Sequence, residues 1–113
     1  MHELSVCEAL FDMIAKEREA RRFTRVCRVR LAVGRFSCLE PEALRYAFEI
    51  LIRETFLEHA TLEIDCPPGR AVCLDCGAEI EVESRLDDCP LCKGGRLKPT
   101  GGDDMRFIEM EVI

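Results

Sequence analysis

CPPGRAVCLDCGAEIEVESRLDDCPLCKGGRLKPTGG, running from Cys66 to Gly102, differs in composition and punctuation from the chain on either side. Turn-forming clusters bracket it, Pro67-Pro68-Gly69 before and Pro99-Thr100-Gly101-Gly102 after. Within it lie two CxxC units, Cys73-x2-Cys76 and Cys89-x2-Cys92, separated by twelve residues. Two such knuckles bring four thiolates to one ion as a tetrahedron, with backbone amides of each turn available to the sulfurs. The connection is shorter than the roughly 15–20 residues usual in this spacing. It still leaves room for a short hairpin through Ile80 and Val82. Four thiolates leave no open coordination position, so the expected site is structural and not catalytic. Zinc suits it first; rubredoxin-like iron shares the tetrahedral sulfur geometry, and a redox dithiol ranks behind both. Arg70, Arg85, Lys93 and Arg96 are near enough in sequence to offset the surplus negative charge of such a site.

Outward from this segment the hydrophobic period changes. Leu4, Cys7, Phe11 and Ile14, flanked by Leu10, recur at three- and four-residue steps and predict an amphipathic helix over 4–20. Cys27, Val29, Leu31 and Val33 alternate with Arg28, Arg30 and Ala32, the pattern of a half-buried strand. A second helix is expected to begin near Pro41, since proline fits the first helical turn and Glu40 and Glu42 suit the positive end of the dipole. Its buried face is Leu44, Ala47, Phe48, Leu51 and Ile52. Alternation returns over Thr61–Cys66 and over Met105–Ile113, where Ile108, Met110 and Val112 share a face. The fold class that follows is α/β: two helices packed on a three-stranded sheet, with an inserted zinc-ribbon-like module. The main domain is then discontinuous, residues 1–68 plus 103–113, interrupted by a metal-binding domain over 69–102.

At 113 residues, 48% hydrophobic and 34% charged, the chain reads as one small globular domain with a sub-module and not as a disordered segment. No apolar run reaches the roughly 20 residues that span a bilayer. MHELSVCEALFD has neither a basic nor an apolar signal region, so a cytoplasmic location is expected, where clustered cysteines bind metal more often than they form disulfides. A net charge of −6 argues against binding nucleic acid through its phosphates. One basic run stands out, Lys16, Arg18, Arg21, Arg22, Arg25, Arg28, Arg30 and Arg35, broken only by Glu17 and Glu19. It reads first as a solvated helix end and strand face, second as a docking patch. No Ser/His/Asp or Cys/His set is suggested by position, so no catalytic residue is assigned.

Met1-His2-Glu3 has chelating chemistry of its own. An α-amine, the amide nitrogen of residue 2 and the His2 imidazole form adjoining chelate rings, with the Glu3 amide as a further nitrogen. Square-planar nitrogen coordination favours Ni(II) or Cu(II) over Zn(II). Glu3 also has a plainer reading, as a carboxylate at a helix start.

MHELS, then RVRLAVG over 28–34, EPEALRYAFE over 40–49, CLDCGAEIEV and CPLC occur in one order along the chain. In that order they resemble the HypA/HybF family of nickel-incorporation metallochaperones, which mature NiFe-hydrogenases. The resemblance covers essentially the whole chain. It implies a nickel-binding α/β domain with a zinc domain inserted before the last strand. Nickel, as transient cargo, maps onto Met1, His2 and Glu3, and structural zinc onto Cys73, Cys76, Cys89 and Cys92. The implied partners are the nickel-binding GTPase HypB, the hydrogenase large subunit and, in some members, urease accessory proteins. Lys93 departs from the pattern, because glycine is usual after the last zinc ligand. Cys7, Cys27 and Cys66 fall on apolar faces and read as core; Cys38 reads as a small loop residue and His59 as the end of the second helix. A zinc-ribbon module that binds nucleic acid or a transcription complex is the competing reading, and the acidic charge and 6% aromatic content weigh against it.

Overall fold

The computed structural model describes residues 3–113. Its elements are α1 (Glu3–Arg21), β1 (Val26–Val33), α2 (Pro41–Leu51), β2 (Thr61–Asp65), β3 (Gly69–Cys73), β4 (Glu79–Val82), β5 (Leu97–Gly101) and β6 (Met105–Val112). Two three-stranded sheets result, ordered β2-β1-β6 and β4-β3-β5. The two expected helices and the sheet formed by the three alternating segments are present. The inserted segment builds a sheet of its own.

The chain divides into two compact units, Met1–Leu31 with Leu39–Ile64 and Phe107–Ile113, and Ala32–Cys38 with Asp65–Arg106. In the first, α1 packs on α2, and the Cys7 thiol donates to the Leu44 carbonyl at 3.5 Å. The buried stripe of α1 is Val6, Cys7, Leu10 and Ile14. That is a correction to the expected stripe: Leu4 is 44% exposed, and Phe11 is half-buried with its ring 5.4 Å from that of Phe56. Apolar residues at both 4/11 and 6/10 make the sequence ambiguous about the face, and packing against α2 selects the second set. α2 begins as Pro41 and its neighbours dictate: the Glu40 side chain caps it by accepting from the Glu42 amide at 3.3 Å. It ends at Leu51, so His59 lies beyond the helix, in the left-handed region at φ 72° and largely exposed. Leu44, Phe48 and Ile52 form its buried face. On the sheet, Arg28 reaches Glu63 at 3.0 Å and Glu109 and Glu111 at 3.4 Å, while Arg30 reaches Glu109 at 3.4 Å. Both cations of the basic run that lie on β1 are thereby paired with carboxylates of β2 and β6.

In the second unit β3 is the central strand. It pairs antiparallel with β4 (Gly69 opposite Val82, Ala71 opposite Ile80) and with β5 (Cys73 opposite Leu97). The expected hairpin within 77–88 is corrected: Ile80 and Val82 lie on one strand that returns to β3. Residues 34–36 are stitched to both borders of the insert, with the amides of Gly34, Arg35 and Phe36 donating to the carbonyls of Asp104, Pro67 and Gly102 at 2.9, 3.0 and 2.7 Å. The backbone passes so closely that a Cβ on Gly34 would sit 2.1 Å from the Gly102 carbonyl oxygen.

Candidate metal centre

The knuckle module is organised from its small core outward. Phe36, Ala71, Cys73, Ile80, Val82 and Cys89 are buried together, with Ala78 and Leu97 packed against them. Phe36 comes from the loop after β1 and lies against Gly69, where any Cβ would approach its ring to 2.2 Å. The Arg85 guanidinium stacks 4.7 Å from the same ring and donates to the Phe36 carbonyl at 3.1 Å. Nothing in the spacing of residues 34–38 signals this role, because a lone aromatic in a loop has no periodicity to read.

On this base Cys73 and Cys89 point inward and are buried, while Cys76 and Cys92 are exposed. The four sulfurs lie within 4.8 Å of one another, the sole such group of potential metal ligands among the described residues. Cys73 and Cys92 Sγ are 3.5 Å apart, and Cys76 and Cys89 Sγ 3.8 Å. A tetrahedron with Zn–S bonds of about 2.3 Å has edges of about 3.8 Å, so the donor set matches zinc. Backbone amides face the sulfurs as a thiolate site requires: Cys76 N donates to Cys73 Sγ at 3.4 Å, Cys92 N to Cys89 Sγ at 3.5 Å and Gly94 N to Cys92 Sγ at 3.4 Å. The amides of Cys92 and then Leu91 lower the Cys89 thiol to about 7 against the opposing burial. The Gly94 amide pulls Cys92 down, but hydrogen bonds shared with Cys73 and burial outweigh it and push that thiol up to about 12.

Lys93, where glycine was expected, takes the left-handed conformation at φ 66°, and its amide still closes the turn onto the Cys89 carbonyl at 2.9 Å. Of the cations expected to offset the site, Arg96 pairs with Asp75 between the first two ligands, at 2.5 and 2.9 Å. The Leu74 amide donates to the Arg96 carbonyl at 2.8 Å, and Gly94 leaves room for Asp75, whose Oδ2 a Cβ there would meet at 2.3 Å. The sequence named Arg96 as a cation but gave no sign of its partner.

Other candidate residues are not gathered in this way. Met1 and His2 of the expected nickel set lie outside the described residues; Glu3 is half-buried at the start of α1. Cys7 is buried as expected, Cys27 and Cys66 only partly so. Cys38 is exposed at φ 64°, and the Glu58 carboxylate is 3.5 Å from His59. No helix among the described residues is long and apolar enough to cross a membrane.

A family model for hydrogenase/urease nickel incorporation, metallochaperone, hypA, matches residues 1–112. The chain is 46% identical over 113 residues to a hydrogenase maturation factor HypA of Paracoccus denitrificans, covering 100% of both chains. It is 47% identical over 112 residues to one of Cereibacter sphaeroides, covering 99% of both. Its fold is similar to the solution structure of the Ni metallochaperone HypA from Helicobacter pylori, with a TM-score of 0.66 at 23% identity over 100% of this chain and 98% of that one. A further solution structure of a HypA protein gives a TM-score of 0.69 at 23% identity, over 100% of this chain and 97% of that one. With the doubled knuckle and the full-length likeness in hand, the chain belongs to the HypA family of nickel metallochaperones for hydrogenase maturation, and is not an enzyme.

Proposed function

We infer that this chain takes up Ni(II) as cargo through Met1, His2 and Glu3 and passes it on for insertion into NiFe-hydrogenase, while Cys73, Cys76, Cys89 and Cys92 hold a structural Zn(II). What carries the reading is the full-length likeness to hydrogenase maturation factors together with Met1-His2-Glu3 at the head of the chain. Consecutive amine, amide and imidazole nitrogens favour a planar set, which suits nickel and disfavours zinc. Because amide ligation requires loss of a proton, acidification releases the ion, a property suited to transfer.

The zinc assignment is supported by the tetrahedral spacing of the sulfurs and by the closed, all-thiolate donor set. Nickel is allotted to the discontinuous domain, residues 1–68 with 103–113, and zinc to 69–102. The GTPase HypB and the hydrogenase large subunit are the proposed partners, with urease accessory proteins as further clients; the proposed setting is the cytoplasm, with no nucleic acid and no membrane involved. Metal analysis of untagged protein tests this. Wild type is expected to bind stoichiometric nickel and to retain zinc. His2→Ala, or residues fused ahead of Met1, is expected to abolish nickel binding and leave zinc in place. Undiminished nickel affinity in both variants would refute the terminal site.

A further inference from the structure

The two knuckles are tied to each other beyond their sulfurs. β3 runs into the first knuckle at Cys73, and the second leaves into β5, whose Leu97 stands opposite Cys73 in the ladder. One residue further out, the Leu74 amide donates to the Arg96 carbonyl at 2.8 Å. At the next step Nε and Nη2 of Arg96 both donate to Asp75 Oδ1, at 2.9 and 2.5 Å. Asp75 belongs to the first knuckle, between Cys73 and Cys76, and Arg96 to the chain leaving the second. Gly94 gives the carboxylate its place, since a Cβ there would meet Asp75 Oδ2 at 2.3 Å.

In a nickel carrier these ties bear on which ion the thiolates accept. Thiolate sulfur binds both Zn(II) and Ni(II), so geometry has to separate them. Zn(II) has no d-electron preference and takes the tetrahedron, whereas d8 Ni(II) is stabilised by a plane. Each knuckle supplies one pair of sulfurs. Passing from tetrahedron to plane therefore turns one knuckle against the other by about 90°. The ladder at Cys73 and the Leu74–Arg96 bond hold the bases of the knuckles. The Asp75–Arg96 pair spans them further out, where such a turn displaces the two chains most.

We propose that Asp75 and Arg96 are specificity-determining residues: their ion pair resists flattening of the four thiolates and so keeps the cargo ion, Ni(II), out of the site that holds Zn(II). The inference rests on the zinc assignment above. Neither residue is a ligand; both act by positioning the sulfurs. The charge of Arg96 cannot produce this selectivity by itself. Ni(II) and Zn(II) carry equal charge, so a cation beside the thiolates changes both affinities alike. Because Arg96 is 70% exposed, the pair is worth a severalfold preference and not an absolute one.

The test equilibrates the full chain with Zn(II) and rising Ni(II) and reads thiolate-bound nickel by its sulfur-to-nickel charge-transfer absorption, a band that nitrogen ligands do not give. Asp75→Asn and Arg96→Gln are each expected to reach the wild-type absorption at about fivefold less nickel. Gly94→Ala, which displaces the Asp75 carboxylate without removing a charge, is expected to act in the same direction. Arg96→Lys, which preserves an ion pair, is expected to recover most of the preference. Co(II) loading separates this inference from the one beneath it. Wild type and variants are expected to show the tetrahedral thiolate spectrum of Co(II), and its absence from wild type would refute the four-thiolate site itself. With that spectrum present, an unchanged nickel-to-zinc ratio in Asp75→Asn and Gly94→Ala overturns the proposal, as do affinities for the two ions that move together.

Discussion

The two units are held together differently. The first buries a conventional set of aliphatic and aromatic side chains, among them Ile14, Val29, Leu31, Leu44, Phe48 and Leu57. In the second, the cluster beneath the knuckles is six buried residues, and two of them, Cys73 and Cys89, are also proposed zinc ligands. So small an apolar core cannot offset the entropy of ordering its chain, whereas a structural zinc site contributes on the order of 10–16 kcal/mol. Hydrophobic burial is expected to suffice for the first unit, and the second to depend on the metal proposed for its four cysteines.

The largest expected effect breaks that contrast at the metal. Cys73→Ser, or removal of zinc by a chelator, is expected to abolish the order of β3, β4 and β5 while the circular dichroism of α1 and α2 persists. The reverse break is Phe48→Ala. Phe48 is 2% exposed, and truncation there should cost about 3–5 kcal/mol in the denaturant stability of the first unit. Zinc content per chain should not change.

A pH effect sharpens the contrast, because Cys7 is a buried thiol with no metal role. Burial, aided by the nearby Glu3 carboxylate, raises it from 9.0 to about 11. Between those values the unfolded chain has lost the proton and the folded chain has kept it, so stability is complete below pH 9 and falls as pH rises towards 11. The loss amounts to roughly 2–3 kcal/mol. Cys7→Ala is expected to remove this alkaline step from a series of urea melts. The smallest effect is Lys93→Gly. Relief of a left-handed backbone should stabilise the second knuckle by about 1 kcal/mol, read as slower zinc transfer to a chelator.

Period and punctuation made the α/β unit legible. α1, β1, α2, β2 and β6 follow from alternation, helical spacing and Pro41, and the four cysteines from their spacing alone. What stayed hidden was set by contacts distant in sequence. Val6 rather than Leu4 is buried because α2 covers that side of α1. β3 and β5 are short and uneven, with Pro99 and a register shift at Arg70/Ala71, so neither alternates clearly. Phe36 joins the knuckle core through a chain reversal at Gly34 that no local pattern announces. Asp75 and Arg96 meet because the two knuckles converge, which spacing implies for the sulfurs but not for their neighbours.

Residue-resolved amide hydrogen exchange of the full chain, with and without zinc, tests the central claim most directly. The account predicts that stripping the ion erases protection in β3, β4 and β5 and leaves that of α1, α2 and β1 intact. Equal protection of the knuckle strands in both states, or loss of protection throughout the molecule, would contradict it.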